Sequence, residues 1–131
     1  MVFRTGQVTD QDVRAFGLDV CEVNWGVWLN NVLVALFQAE EDGEGWLTVH
    51  ANVKPRAIHP AITQIYARQF SDDLLRYGAR LKAEIPPRHR AALRLAKAAG
   101  FTEIHRNDEW VVLEKVRDGQ KEGSEDPTAT V

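Results

Sequence analysis

The chain predicts a mixed α/β fold: a single mostly antiparallel sheet with one parallel crossover, in the order β-α-β-β-β-α-β-α-β-β. Three observations predict it. From Asn24 the apolar residues recur every second position through "NWGVWL", "VLVALFQA" and "WLTVHANV", three strands parted by turn residues. From Ile58 the period changes to three and four, through Ile62, Ile65, Tyr66, Phe70, Leu74 and Tyr77, and stops at Gly78. The strand-like "RLKAEI" follows at once, and a strand–helix–strand passage needs a crossover that leaves its two strands parallel.

The remaining elements fall around this centre. "VFRTG" reads as a first strand, and Thr9 with Asp12 three residues on resembles a capping box opening a short helix that closes at Gly17. Asn30-Asn31 tolerates the positive φ of a two-residue hairpin turn, and "EEDGEG" makes the next turn. Pro60 suits the first turn of the long helix, where a missing N–H costs nothing. "PP" then opens the helix "RHRAALRLAKAAG", closed by Gly100, and "FTEIHR" and "EWVVLEKV" finish as a hairpin around Asn107-Asp108.

Residues 1–117 read as one domain. "RDGQKEGSEDPTATV" has no apolar period, so 118–131 read as a disordered polar tail. With 131 residues, 44% hydrophobic, 27% charged and a net charge of −3, the chain has the composition of a globular protein with a real core. The acidity argues against a generic nucleic-acid binder. No apolar run approaches the roughly 18–20 residues that span a bilayer, and "MVFRTGQ" lacks a secretory core. Cys21 is the single cysteine, so no internal disulfide or cysteine metal cluster is available, and a cytoplasmic setting is expected. The four histidines are too scattered for recognisable metal-ligand spacing, and no metal is assigned.

The chemistry concentrates at the strand-to-helix junction "VHANVKPRAIHPAITQIYARQF". Val53-Lys54-Pro55 at the strand end, the 15-residue interval from Thr63 to Gly78, and "AALRLAKAAGF" at 91–101 together resemble the GNAT superfamily of N-acetyltransferases over roughly residues 2–116. The small size is also similar to compact bacteriophage-encoded members. The resemblance implies that two strands part, that the pantetheine arm of acetyl-CoA lies between them on backbone groups of Ala51 to Val53, and that the pyrophosphate rests on the start of the long helix. A helix start, with its unpaired N–H groups and positive dipole end, does suit an anion.

The family's cradle reads Arg/Gln-x-x-Gly-x-Gly/Ala. Taken without gaps its positions fall on Ile58, Ala61 and Thr63; shifted by two, on Arg56, His59 and Ala61. Either way the glycines are gone, and a Cβ holds phosphate away from the backbone. The Thr63 hydroxyl is one compensating donor. Arg56, Arg88, His89 and Arg90, with Lys54 and Arg94, are expected to cluster at the two helix starts, where arginine recognises phosphate well; a solvated basic face is the plainer alternative. His89 stands where relatives carry an Asn. Ala96 stands where they often carry a Tyr that protonates the departing thiolate, and it has no proton to give.

His50, mid-strand beside Thr48 and Asn52 on one face, suits the base that deprotonates an amine acceptor, and equally a structural hydrogen bonder. His59 faces either the pyrophosphate or solvent. The acidic turn of Glu40, Glu41, Asp42 and Glu44 would attract an amine or simply be solvated. Trp25, Trp28, Trp46 and Trp110 read as packing residues or as a pocket lining. Two functions follow. One is an acetyl-CoA-dependent N-acetyltransferase acting on an amine. The other is a catalytically inactive fold that binds a protein partner, for a phage protein as a virion component.

Overall fold

The computed structural model describes residues 2–117; the tail expected at 118–131 lies outside them. The elements are β1 (Phe3–Gln7), α1 (Asp10–Ala15), β2 (Val23–Leu29), β3 (Val32–Glu41), β4 (Leu47–Val53), α2 (Pro60–Arg76), β5 (Leu81–Ile85), α3 (Arg90–Ala98), β6 (Thr102–Arg106) and β7 (Val111–Lys115). The order is the one the sequence predicts. The seven strands form one sheet, β1-β2-β3-β4-β5-β7-β6, antiparallel except where β4 meets β5.

Local chemistry sets these boundaries. The Thr9 hydroxyl accepts the Asp12 N–H and opens α1. Asn30 and Asn31 take φ of 51° and 70°, the pair a two-residue hairpin requires. Each helix ends in a Schellman turn on a glycine with positive φ, seen at Gly100 in the bond from Phe101 N–H to Ala96 C=O. The last hairpin turns through four residues, Asn107 to Trp110, because the Asn107 side chain accepts the Glu109 and Trp110 N–H groups.

The two faces of the sheet carry separate cores. α2 and α3 cover one face, where Phe37, Phe70 and Trp25 stack with Leu81, Val111 and Leu113. α1 covers the other, on Val8, Val13, Trp28 and Leu36. Trp25 and Trp28 are thus packing residues, whereas Trp110 is 43% exposed.

The buried face of α2 differs from the expected stripe. Ile65 is 63% exposed and Tyr77 89% exposed. Ile58 lies ahead of the helix. The inward face runs through Thr63, Ala67, Phe70, Ser71 and Leu75, which puts mostly small residues where α2 approaches α3 and leaves room between the helices. Across that space Lys115 Nζ, 8% exposed at side-chain level, donates to Ser71 Oγ, Asp72 Oδ1 and Ala99 C=O, each at 2.7 Å. Arg68 donates to Ala98 C=O at 2.7 Å. Two cations therefore satisfy the carboxyl end of α3, where the helix dipole favours them.

Candidate functional site

β4 and β5 pair only at Leu47–Leu81 and Thr48–Lys82, then part. Leu47 N–H donates to Arg80 C=O, which fixes the ladder phase. Backbone groups alternate sides along a strand, so those of Val49, Ala51 and Val53 also point toward β5 and find no strand there. The even residues are used on the other side, as Lys54 N–H donating to Val34 C=O continues. β4 therefore presents an unfilled row of N–H and C=O groups to a slot.

The slot opens into a cavity of about 840 Å³. Its floor between the helices consists of Thr63, Ala67 and Ser71 from α2, Ala92 and Ala96 from α3, and Ala99 just past its end. Short side chains at these points create the space, and an extended chain carrying amide groups would have both room and backbone partners there.

The start of α2 is a poorer fit to a pyrophosphate. Pro60 has no N–H. Ala61 N–H is taken by His59 Nδ1 at 3.1 Å, and Ile62 and Thr63 N–H both reach His59 C=O. The Thr63 hydroxyl donates to that same carbonyl at 3.3 Å, so it is not the spare donor the sequence offered. The first turn of α2 is capped by its own residues, so a phosphate placed here would have to be held by side chains. Pro55 and Arg56 fill the centre of a turn closed by Ala57 N–H to Lys54 C=O. With Pro55 followed by positive φ at Arg56 (62°) this is a type II turn whose glycine position holds arginine.

The expected site residues divide. His50, Ala51, Val53, Arg56, Ile58, Thr63 and His89 line the cavity. His59 and Ala61 are outside the lining and pair with each other as a cap and its partner. Arg88 and Arg90 are exposed and outside the lining, whereas Lys54 and Arg94 are within it. His89 precedes α3 without a side-chain capping bond. Ala96, 9% exposed, is on the cavity wall.

On the α1 face the lining includes residues the sequence reading did not single out: Asp19, Cys21, Gln38 and Glu84. Gln38 stands directly across from His50 in the β3–β4 register, and cross-strand partners on one face are neighbours. Cys21 Sγ lies 3.4 Å from Glu40 Oε1. Burial, then the bond to Glu40, then the charges of Glu40, Asp19 and Glu22 push the Cys21 thiol up to about 11, so at neutral pH it is no nucleophile. The cavity thus has a basic mouth at Lys54, Arg56 and Arg94 and an acidic wall at Asp19, Glu40 and Glu84.

No model of a known protein family matches the chain, and no curated protein matches it by sequence. Solved structures do match. The acetyltransferase of the GNAT family from Streptococcus pneumoniae aligns over 87% of this chain and 98% of its own, with a TM-score of 0.71 at 11% identity. Campylobacter jejuni N-acetyltransferase PseH in complex with acetyl coenzyme A aligns over 88% of this chain and 99% of its own, at TM-score 0.66 and 10% identity. The ribosomal-protein-S18-alanine N-acetyltransferase from Escherichia coli aligns over 86% of this chain and 91% of its own, at TM-score 0.66 and 15% identity. The chain has the GNAT fold. Among the described residues no helix is long and apolar enough to cross a membrane.

Proposed function

We propose that the protein is an acetyl-CoA-dependent N-acetyltransferase acting on an amine. The observation that carries this reading is the parting of β4 and β5 after two residue pairs, which turns the backbone of Val49, Ala51 and Val53 toward an 840 Å³ cavity. Those groups would hold the pantetheine arm and the acyl carbonyl, with Ala67, Ser71 and Ala92 giving it room. Arg56, Lys54 and Arg94 would meet the phosphates in place of the α2 backbone. Bound there, acetyl-CoA supplies an acetyl group activated as a thioester.

On the opposite side of the sheet plane His50 accepts a proton from the acceptor's ammonium group, freeing the nitrogen lone pair. Ala96 offers the departing thiolate no proton, so that proton comes from water in the open cavity. Cys21 takes no part as a nucleophile.

A second reading has one observation in its favour. The self-capped start of α2 is what a fold that has given up its cofactor, and binds a protein partner instead, would show. Calorimetric titration of acetyl-CoA into the full chain separates the two. Micromolar binding supports the transferase, and no heat at millimolar ligand leaves the partner-binding reading.

A further inference from the structure

A chain of side-chain amides on the α1 face ends in an oxygen that has no protein partner. Asn24, 9% exposed, is held at both ends by Cys21: its Nδ2 donates to Cys21 C=O at 2.8 Å and its Oδ1 accepts Cys21 N–H at 3.1 Å. That orientation turns Oδ1 toward Gln38. Gln38 Nε2 donates to Asn24 Oδ1 at 2.9 Å and to Asp19 C=O at 2.7 Å. Both amide protons of Gln38 are committed, and rotating the amide by half a turn would set its oxygen against two other oxygens.

Gln38 is 3% exposed and lines the cavity. Its Oε1 accepts no hydrogen bond from the described residues. The oxygen opens onto the cavity, where its unused lone pairs can take a donor. His50 is its cross-strand neighbour. Two residues along β3, roughly 7 Å away by strand geometry, is Glu40, and Asp19 lies on the same wall. The nitrogens of a four-carbon diamine are separated by a similar length.

We infer that this wall is the acceptor subsite for a substrate with two amino groups, an alkyl diamine or polyamine, whose reacting nitrogen is held by Gln38 Oε1 beside His50 and whose second ammonium is held by Glu40 with Asp19. The inference takes its chemistry from the acetyl-transfer reading, but its binding claim is independent. In the reaction the C–N bond forms as the thioester C–S bond breaks. The nitrogen yields its protons to His50 and then water, and the thiolate takes one from water.

The test titrates 1,4-diaminobutane and 1-butylamine separately into the full chain by calorimetry at low salt, for the wild type, Glu40→Gln and Gln38→Met. Thermal melts establish that each variant is folded. The wild type is expected to prefer the diamine about tenfold, the worth of one added charge-assisted contact. Glu40→Gln should bring that preference to about threefold or less, weakening the diamine more than butylamine. Gln38→Met should weaken both amines. Equal affinity for the two amines, or a preference that survives Glu40→Gln, overturns the inference. Glu40 is exposed, so its variant decides the matter even if Gln38→Met fails to fold. Diamine preference without acetyl-CoA binding would remove the transferase reading and keep the subsite. Acetyl-CoA binding with thiol release indifferent to the second amine would do the reverse.

Discussion

The imidazole of His59 occupies the one backbone donor that the first residues of the longest helix have to spare, accepting Ala61 N–H at 3.1 Å. An anion arriving at this helix must compete with a group already bonded there. The bond serves stability, since an unpaired helix-start N–H is worth capping, and it opposes phosphate binding at the same atom.

Replacing His59 with Ala should therefore divide the two effects. Stability is expected to fall by about 1 kcal/mol, the usual worth of a cap, read as a shift in a urea melt. Acetyl-CoA should bind several-fold more tightly by calorimetry. Weaker binding would instead make His59 a phosphate ligand.

Arg56 has φ of 62° where the turn favours glycine. Relief of that conformation, roughly 1–2 kcal/mol, outweighs the roughly 0.4–1 kcal/mol that glycine's freedom in the unfolded chain costs. Arg56→Gly should stabilise the fold by about 0.5–1 kcal/mol while weakening acetyl-CoA, because the guanidinium leaves the cavity mouth. Denaturant titration and calorimetry on the same variant check both signs.

Ala67 lines the cavity floor at 7% exposure. Leucine there would project into space that is already open. Ala67→Leu is expected to abolish measurable acetyl-CoA binding and to keep the melting temperature within a few degrees of the wild type. Retained binding would place the pantetheine arm elsewhere.

Lys115 closes three contacts with α2 and α3. Lys115→Met should cost about 1–3 kcal/mol. The lower half of that range applies, because Asp72 is 46% exposed and its freed carboxylate can turn to water. Urea denaturation gives the number.

Asp42 accepts Glu44 N–H at 2.8 Å, and its other oxygen is 3.0 Å from Lys82 Nζ; in that order these hold the carboxyl below its ordinary 3.8. A lowered folded pKa means the unfolded chain binds the proton more readily. The contribution is thus present above pH 3.8 and is lost as pH falls through the lower folded value. Asp42→Asn keeps the turn's hydrogen-bond acceptor and removes the charge. Its melting temperature should decline less steeply than that of the wild type on acidification below about pH 4.

The element order was legible because it rests on local signals: Thr9 as a cap, the Asn30-Asn31 pair, and glycines one step past each helix. The slot was legible only through the family resemblance. Nothing in "LTVHANV" itself says that its partner strand turns away. The inward face of α2 was misjudged because a helix lining a cavity buries Thr63, Ala67 and Ser71, residues that an apolar periodicity passes over, and leaves Ile65 outside. The His59 cap escaped notice since Ser, Thr, Asp and Asn lead at that position. Gln38 gave no signal at all: a polar residue inside an apolar strand acquires meaning only once Asn24, fourteen positions away, has fixed its amide.

With β4 and β5 joined at two residue pairs, the sheet is weakest at its middle. Most β-proteins fray from their outermost strands inward. Here β1 to β4 on one side and β5, β7 and β6 on the other are each paired along their lengths, and the seam between them holds two pairs. A molecule lodged in that seam would act as a keystone, and deuterium uptake at Val49, Ala51 and Val53 would slow on its arrival more than at either rim of the sheet.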